Sequence, residues 1–418
     1  MHEREYDIVL FGATGYVGRL IARHLLHHAP GDLRIALAGR SLNRLEAVRR
    51  WLGGEAVSWP ALRADSEDIP SLQEIARRTQ VVISTVGPYH GRGLALVGAC
   101  ATAGTHYTDL TGEVLFVRDS IDCFDRAARN SGARIVHSCG ADAVPSDLAV
   151  LTTALAAHQA GDGHLAQVDA YWRDLRGGAS GGTLASLAED IRARQTDRDK
   201  ARLAADPYAL SPARDDEPEP RTVRNRLHVG RARSIPHWET PYLLSAFNAQ
   251  IVRRSNALTD WSYGRTLRYH EALTTGRSPL GAVRAGALAT GQAALVTGLS
   301  SAPTRALCRR ILPGPGQGPS EICLARGRFM VELHAETTGG ASWITRFGAR
   351  KDPGYTGTAA MIGESALALA LGEQLPDRAG VLTPATGIGN ILTDRLRAQG
   401  FIIDTRRESG GPEPTPTP

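Results

Sequence analysis

A glycine-rich turn near the start of the chain carries the clearest chemistry in the sequence. It reads Gly12-Ala-Thr-Gly15-Tyr-Val-Gly18 and lies between an apolar run, Tyr6–Phe11, and an amphipathic run, Tyr16–His28. In a strand–turn–helix unit, such glycines allow a tight turn, let the backbone approach a diphosphate, and let the helix pack closely on the sheet. The spacing is GxxGxxG rather than GxGxxG, so the prediction depends on that context. We predict dinucleotide binding by Gly12, Thr14, Gly15, Tyr16, Val17 and Gly18.

The end of the second apolar run predicts which dinucleotide is bound. An NAD-binding domain usually places a carboxylate there for the ribose hydroxyls. This chain has Arg40 and Ser41 instead, and no acidic residue. A guanidinium can stack on adenine and pair with a 2′-phosphate, and the serine hydroxyl can add a hydrogen bond. The sequence therefore predicts NADPH as the cofactor.

Two later segments extend the predicted cofactor site. Asp65 follows the third strand and is placed to reach the adenine edge. Val86, Gly87 and Pro88 close the fourth strand, over the connection between adenosine and nicotinamide. A Gly-Pro pair there lets the backbone approach the cofactor without a side-chain clash.

The candidate catalytic residues follow the fourth, fifth and sixth strands. Hydride transfer from a nicotinamide needs a hydrogen-bond donor that polarises the acceptor and a group that supplies a proton. Tyr89 and Tyr107 are candidate donors, and Asp142 could act there or hold the nicotinamide ribose or carboxamide. The residues leave open whether one of the two tyrosines or solvent supplies the proton.

Strands alternate with helices over the first third of the chain, and this pattern predicts an α/β fold. We expect an N-terminal Rossmann domain with a doubly wound parallel sheet, and a second α+β domain with a mixed or antiparallel sheet. The predicted units are an NADP-binding domain at 1–147, a substrate domain at 148–355 with a surface excursion at 206–241, C-terminal helices at 356–407 that pack on the first domain, and a disordered tail at 408–418.

Composition excludes several classes of protein. The net charge of +5 comes from dispersed arginines, so we expect no nucleic-acid partner. Five widely spaced cysteines without a CxxC pair indicate reduced thiols, and no HExxH-type spacing indicates a metal. The charged N-terminus runs directly into a strand pattern, which argues against a signal peptide. We expect a cytoplasmic protein of undetermined oligomeric state.

Residues Leu280–Leu299 form an apolar stretch with a single charge, Arg284. The stretch is rich in glycine and alanine rather than leucine, so a packed core helix or helical hairpin is the favoured interpretation. The alternative is an apolar element that contacts a lipid chain or a membrane surface.

Five motifs occur in one order across residues 12–147: GATGYVG, LAGRS, STVGPY, YTDLTGE and CGADAVPSD. Together they resemble the saccharopine-dehydrogenase-like superfamily, and within it most closely the trans-acting enoyl reductase subfamily. The likeness continues at Ser180–Thr183, Asn248–Tyr263, Pro313–Pro319 and Gly380–Pro384. The resemblance implies a Rossmann domain, a central α+β domain, and C-terminal helices that return to the first domain.

The resemblance also implies a reaction. Members of this subfamily are implicated in reducing a carbon–carbon double bond in polyketide-derived lipids, apart from a synthase that lacks its own reductase domain. The implied substrate is a hydrophobic acyl or polyketide intermediate, free or carrier-bound. Two alternatives stay open: a saccharopine-type imine or C–N reductase, for which Arg253-Arg254 is the only close arginine pair near the right region, and a non-catalytic NADPH-binding protein at a lipid surface.

Overall fold

The computed structural model describes residues 4–177, 181–217, 229–301, 303–304, 318–372 and 374–408, with the backbone alone at 181–184. Four segments named above lie wholly or partly outside these residues: the start of the Ser180–Thr183 motif, residues 218–228 of the predicted excursion, most of Pro313–Pro319, and the tail from residue 409.

The first sheet contains seven strands that pair in parallel. Their order across the sheet is β13-β6-β5-β4-β1-β2-β3 when the strands are numbered along the chain. Most of them are short apolar runs, as expected for strands covered on both faces. The strands are β1 Tyr6–Phe11, β2 Ile35–Gly39, β3 Ala61–Arg63, β4 Thr79–Ser84, β5 His106–Asp109, β6 Arg134–Val136 and β13 Gly380–Leu382.

Helices cover both faces of this sheet and make it doubly wound. The amphipathic α1 and α3 bury one stripe each, so their apolar residues complete two cores on opposite faces. The N-terminal helices are α1 Tyr16–His28, α2 Leu42–Leu52, α3 Ile69–Arg78, α4 Tyr89–Arg92, α5 Leu94–Ala103 and α6 Val114–Ser131.

The second sheet is mixed, because β7 and β10 pair in parallel and its other pairs are antiparallel. Its order is β14-β12-β11-β7-β10-β9-β8. The two sheets confirm the predicted fold class. The strands are β7 Leu165–Trp172, β8 Gly230–Arg231, β9 Trp238–Pro241, β10 Arg268–Gly276, β11 Phe329–Thr337, β12 Ser342–Ala349 and β14 Ile402–Arg407.

One buried helix connects the two sheets. It begins at Val144, just after β6, and its residues are buried on almost every side, as expected for a helix between two layers. It packs against β7, β11, β12 and β14 of the second sheet. The remaining helices are α7 Val144–Gln159, α8 Gly181–Thr196, α9 Arg198–Ala205, α10 Ser245–Leu258, α11 Pro279–Ser300, α12 Glu321–Ala325, α13 Thr358–Leu371, α14 Pro384–Gly387 and α15 Asn390–Ala398.

The C-terminal segment 356–407 contains more than helices. Helix α13 packs on α1 and on β4, in agreement with the predicted return to the first domain. In addition, β13 pairs with β6 in the parallel sheet and β14 pairs with β12 in the mixed sheet. One segment therefore ties both sheets together through backbone hydrogen bonds.

The predicted surface excursion at 206–241 is wrong in two places. Tyr208, Ala209 and Leu210 are buried, and Leu210 accepts a hydrogen bond from Arg254 through its carbonyl oxygen. Strand β9, near the end of the segment, pairs with β10. The prediction was based on composition, and the many Pro, Asp, Glu and Arg residues of the segment outweigh these short apolar stretches.

The favoured core interpretation of Leu280–Leu299 is also wrong for the residues described. The segment forms one helix, α11, in which only Gly281, Ala285 and Leu299 are buried. Leu280, Val283 and Leu288 are 54%, 68% and 46% exposed. Sequence periodicity could not reveal this, because the helix is apolar on its packed side and on its exposed side alike.

Candidate functional site

The candidate site lies at the carboxyl edge of the parallel sheet, between β1 and β4. Strand order reverses there, and ligands of open α/β sheets bind in the crevice outside such a switch point. Thr85 joins the two strand ends, since its hydroxyl donates to the carbonyl oxygens of Phe11 and Gly12 at 3.3 and 3.1 Å.

The glycine turn has the geometry that a diphosphate requires. Gly12 has a φ of +92°, and a Cβ on it would overlap the Thr85 hydroxyl. A Cβ on Gly18 would overlap the Gly12 carbonyl oxygen, so only glycine lets α1 pack this closely on the turn. A Cβ on Gly15 would approach only the Gly12 oxygen, at 3.3 Å, so its requirement for glycine is weaker within the protein alone.

The start of α1 supplies unpaired N–H donors to this turn. Gly15 is the N-cap residue, no side chain caps the helix, and its first turn contains no acidic residue. The positive end of the helix dipole is therefore not neutralised locally, which favours a bound diphosphate. Thr14 and Val17 stand in this same turn, as the sequence predicts.

Tyr16 connects the cofactor turn to the second half of the chain. Its hydroxyl donates to the Pro319 carbonyl oxygen at 2.6 Å, and its ring meets Tyr355 edge-on with 5.1 Å between centroids. A Cβ on Gly318 would overlap the Tyr16 ring. Its side chain is thus engaged by the protein, and a role in binding the cofactor would fall to its backbone in the first turn of α1.

The predicted adenosine-end residues lie together at one side of the sheet. Arg40 directly follows β2 and is exposed, with no ion pair among the residues described. Ser41 caps α2 by accepting from the Arg44 N–H at 3.4 Å. Asp65 follows β3, next to β2, and accepts from the Glu67 N–H at 3.2 Å. An exposed guanidinium next to the Ser41 hydroxyl suits a 2′-phosphate.

Glu113 fixes the turn that follows β4, a role that sequence reasoning missed. Its carboxylate accepts from the N–H groups of Tyr89 and His90 at 3.0 and 2.8 Å. This holds the segment Val86-Gly87-Pro88 at the mouth of the crevice, where all three residues are partly exposed. The only sign of this role in the sequence is that Glu113 is an acidic residue shortly after β5.

The structure contradicts a proton-donor role for Tyr89. Its ring is buried against Phe116, with 5.4 Å between centroids. Its hydroxyl donates to the Ser84 carbonyl oxygen at 3.1 Å and accepts from the Leu110 N–H at 3.2 Å. Burial raises the pKa of this phenol well above its usual range. Tyr89 therefore joins two strand ends inside the core.

The structure also contradicts a donor role for Tyr107, which is buried together with Asp109 on β5. Both side chains are fully buried, because β5 lies in the middle of the sheet. Burial raises the pKa of the Tyr107 phenol well above its usual range. Asp109 contacts His137 Nδ1 at 2.7 Å and accepts from the Ser138 N–H at 2.9 Å. Asp109 thus fixes the ends of β5 and β6 and does not reach the crevice.

Asp142 is the third of the candidate catalytic residues. It lies in the loop between β6 and α7, partly exposed, and its carboxyl oxygen Oδ2 is 3.8 Å from where a Cβ on Gly112 would lie. Its carboxyl group makes no hydrogen bond among the residues described. Burial raises the pKa of Asp142 to about 6, so a proton stays on it well above the usual range of an aspartate.

Tyr242, which follows β9 of the second sheet, lies near Asp142. The sequence analysis did not predict Tyr242 as a site residue. It packs on Trp172, with 5.0 Å between ring centroids. Its side chain is partly exposed, and its hydroxyl makes no hydrogen bond among the residues described. Burial, and then the charge of Asp142, raise the pKa of its phenol well above the usual range. The crevice therefore receives one carboxyl from the first domain and one phenol from the second.

A buried carboxylate supports the Trp172 ring on which Tyr242 packs. Glu271 accepts from Trp172 Nε1 at 2.6 Å, from Asn248 Nδ2 at 2.8 Å, and from the Tyr269 hydroxyl at 2.7 Å. Ser146 of α7 adds a hydroxyl at 3.3 Å. The network ties β7, β10, α10 and α7 together and fixes the ring beneath the crevice.

The pair Arg253-Arg254 is structural. Arg254 donates to the carbonyl oxygens of Leu210 and Val381 at 2.6 and 2.5 Å, and burial lowers its pKa to about 10. Arg253 donates to the Pro207 carbonyl oxygen and lies over the Tyr208 ring at 5.2 Å. Both guanidiniums hold the chain around residues 207–210, and Arg253 Nε, Arg253 Nη2 and Arg254 Nε make no hydrogen bond among the residues described.

Within the residues that the structure describes, no cluster of His, Cys, Asp and Glu has the arrangement of a metal site. Over the same residues, no helix has the length and apolar character needed to cross a membrane, and this includes α11.

Comparison with known proteins agrees with this geometry. The family model for the saccharopine dehydrogenase NADP-binding domain matches residues 8–136. A saccharopine dehydrogenase (L-Glu forming) from Saccharomyces cerevisiae, solved without ligand, shares the fold with a TM-score of 0.55 and 14% identity, over 97% of this chain and 100% of that one. The fold and the glycine turn define an NADP-dependent oxidoreductase, and its cofactor is NADPH as the sequence predicts.

Relatives of nearly the same length place the chain more narrowly. A Mycobacterium tuberculosis relative is 45% identical over 412 residues, which cover 97% of this chain and 98% of the relative. The trans-acting enoyl reductase of Mycobacterium bovis is 42% identical over 417 residues, which cover 97% and 99%. The chain belongs to the trans-acting enoyl reductase family.

Proposed function

We propose that this protein uses NADPH to reduce a carbon–carbon double bond in a polyketide- or lipid-derived intermediate, free or attached to a carrier. The observation that carries the proposal is the 42% identity to a trans-acting enoyl reductase over 97% of the chain. A complete cofactor turn and two unpartnered polar groups across the crevice support it.

The two groups at the crevice fit the needs of this reaction. Bound NADPH supplies the hydride that the β-carbon accepts. Charge then develops on the carbonyl oxygen, and the Tyr242 hydroxyl is the donor that we assign to that oxygen. The carboxyl group of Asp142, which stays protonated up to about pH 6, is the proton source that we assign to the α-carbon.

A saccharopine-type substrate is less well supported. It would carry several carboxylates and would need a set of converging arginines. Arg253 and Arg254, the pair available by sequence, are buried and bonded to backbone carbonyl oxygens. Both guanidiniums therefore donate to the backbone hydrogen bonds that a substrate carboxylate would need.

The deciding experiment measures NADPH oxidation with two substrate panels and identifies the products by mass. One panel contains α,β-unsaturated acyl thioesters and enones, and the other contains keto acids with amino acids. We expect reduction in the first panel, with a mass gain of two hydrogens. Turnover only in the second panel would overturn the proposal in favour of C–N chemistry, and NADPH binding without turnover in either would favour a non-catalytic protein.

We further propose that α11 contacts a membrane surface, where a lipid-derived substrate would be met. The exposed Leu280, Val283 and Leu288 support this, because exposed apolar side chains on one helix commonly mark an interaction site. Flotation with phosphatidylglycerol vesicles tests it. Leu280→Glu/Val283→Glu should abolish flotation, whereas Ile69→Glu, a change at a residue 53% exposed on α3, should not. Equal flotation of all three proteins would refute the contact.

A further inference from the structure

A groove of about 1020 Å³ lies between α11 and the second sheet. One wall is apolar and is formed by Ala287 and Leu288 of α11 together with Met330 of β11. Three arginines also line it: Arg173, which follows β7, Arg284 of α11, and Arg346 of β12. The groove therefore combines apolar surface with positive charge.

This groove is separate from the NADPH crevice. Successive side chains of a strand point to opposite faces of the sheet. Val331 and Leu333 of β11 belong to the core on the face that α7 covers, so Glu332, between them, points to the opposite face and lines the groove. The nicotinamide-side residue Tyr242 packs on Trp172, which belongs to the α7-side core.

Glu332 neutralises only part of the positive charge. It contacts Arg173 NH1 at 2.7 Å, Arg346 Nε at 3.0 Å and His334 Nε2 at 3.1 Å. The hydrogen bond from His334, followed by the charge of Arg173 and the hydrogen bond from Arg346, lowers the pKa of Glu332 to about 2. The ionised carboxylate of Glu332 therefore pairs with two guanidiniums, those of Arg173 and Arg346. The terminal nitrogens of Arg346 make no hydrogen bond among the residues described.

The remaining charged groups leave the groove positive. Arg284 is exposed and has no acidic partner within the described part of the chain. The other acid in the lining, Asp174, is paired with Arg328 and, at 3.6 Å, with Arg176. The groove therefore contains more cationic than anionic charge.

His237 adds an unused polar atom to the same lining. The side chain is 91% buried (9% exposed), and its Nδ1 finds no hydrogen-bond partner among the described residues. Its Nε2 lies 3.5 Å from Arg173 NH2. Burial, and then the charge of Arg173, lower the pKa of His237, so its ring is neutral near pH 7. A neutral ring can donate one hydrogen bond to an anion.

We propose that this groove binds the phosphate group of an amphiphilic phosphoester, with Arg284, Arg346 and His237 as the donors and α11 with Met330 as the apolar wall. Guanidinium forks match phosphate oxygens geometrically, and the neighbouring Leu288 and Ala287 can cover an acyl chain. The site is independent of the reductase activity, because it lies on the opposite face of the sheet. A membrane headgroup and a soluble phosphoester share this chemistry.

Calorimetric titration of the full chain with soluble probes tests the site, and flotation with phosphatidylglycerol vesicles separates a membrane headgroup from a soluble phosphoester. The probes are inorganic phosphate, monomeric dihexanoyl phosphatidylglycerol and dihexanoyl phosphatidylcholine. We expect dihexanoyl phosphatidylglycerol to bind at least about tenfold more tightly than either of the others, since it alone combines net negative charge with apolar chains. Equal affinity for inorganic phosphate and dihexanoyl phosphatidylglycerol, or no binding of either, would overturn the proposal.

Variants locate the binding. Arg284→Gln/Arg346→Gln should weaken dihexanoyl phosphatidylglycerol binding about 10–100-fold, the usual effect of losing charge-assisted hydrogen bonds. Arg268→Gln removes an exposed arginine at the start of β10, outside the groove lining, and should leave it unchanged. Equal losses in both proteins would show diffuse attraction and overturn the site. NADPH affinity, measured by nicotinamide fluorescence, should stay constant in all variants and verifies folding.

Discussion

The two ends of the crevice are built in different ways. The proposed diphosphate end consists of seven consecutive residues, Gly12–Gly18, which would bind through their backbone. The proposed reacting end consists of Asp142 and Tyr242, which stand far apart in the chain and follow strands of different sheets. A site made of backbone can be contained in one local motif. A site made of side chains depends on how two domains pack.

The difference also appears in the surroundings of the polar groups. At the diphosphate end, the Thr85 side chain is paired with Phe11 within the protein, and the unpaired groups are the backbone N–H groups at the start of α1. At the reacting end, Asp142 and Tyr242 make no side-chain hydrogen bonds among the residues described, although burial raises the pKa of both. Unpaired polar groups in a partly buried crevice are costly to the fold, so a role in ligand chemistry accounts for them.

Substitution at the turn should have the largest effect. Gly12→Ala places a Cβ on a residue with φ of +92°, where it overlaps Thr85. We expect NADPH affinity to fall at least about 100-fold and the free energy of unfolding to fall by about 2–4 kcal/mol, from strain and overpacking together. Fluorescence titration and denaturant unfolding measure the two effects.

Gly53→Ala is the matched control for that experiment. Gly53 also has a positive φ, +67°, but a Cβ on it would meet nothing within 4 Å. It should lose about 1 kcal/mol of stability and keep its NADPH affinity. If both variants bind NADPH equally well, the turn does not form the diphosphate site in the way described.

Tyr242→Phe tests the reacting end. Removing one preorganised donor to a developing oxyanion typically costs about 100-fold in kcat, and NADPH affinity should not change. Tyr89→Phe is the control, because Tyr89 is a buried tyrosine whose hydroxyl binds backbone atoms. It should lower stability by about 1 kcal/mol and change kcat less than about threefold. The opposite ranking of the two variants in kcat would return the donor role to Tyr89.

The sequence allows a prediction of the diphosphate end because that end is local. The glycine spacing, the flanking apolar runs and Arg40 all lie within about thirty residues. The strand–helix alternation likewise predicts the parallel sheet, and Asp142 is a candidate because it stands in the loop between β6 and α7. Each of these inferences needs only the periodicity of one segment and the rule that strand ends meet at one edge.

The sequence could not predict the rest for physical reasons. Tyr107 follows the same strand-end rule as Asp142, but its strand is central and its side chain points into the core. Tyr242 stands in a segment whose composition suggested a surface excursion, and only its packing on Trp172 reveals it. Helix α11 is apolar on both sides, so no periodicity distinguishes its exposed side from its packed side.

Asp142→Asn tests the carboxyl half of the reacting end through pH. The pKa of Asp142 is raised, to about 6, so the acid form that donates a proton is lost as pH rises through 6. We expect kcat of the natural protein to fall about tenfold per pH unit above 6 if no other group supplies the proton. The variant should be slower by up to about 100-fold at pH 6 and should lack this decline. A raised KM for NADPH with normal kcat and an unchanged profile would instead make Asp142 a cofactor anchor.

Arg40→Ala should have the smallest effect of the four substitutions. It acts at the adenosine end, where a side chain, Arg40, follows β2 beside the site that the backbone of Gly12–Gly18 forms. Because Arg40 is exposed, losing its contact with a 2′-phosphate should weaken NADPH binding about 10–30-fold, and NADH binding, which involves no such phosphate, should hardly change. Arg44→Ala, which removes an exposed arginine from the first turn of α2, is the control. Parallel losses for NADPH and NADH would mean that Arg40 contacts adenine alone, and that NADPH is selected by another part of the crevice.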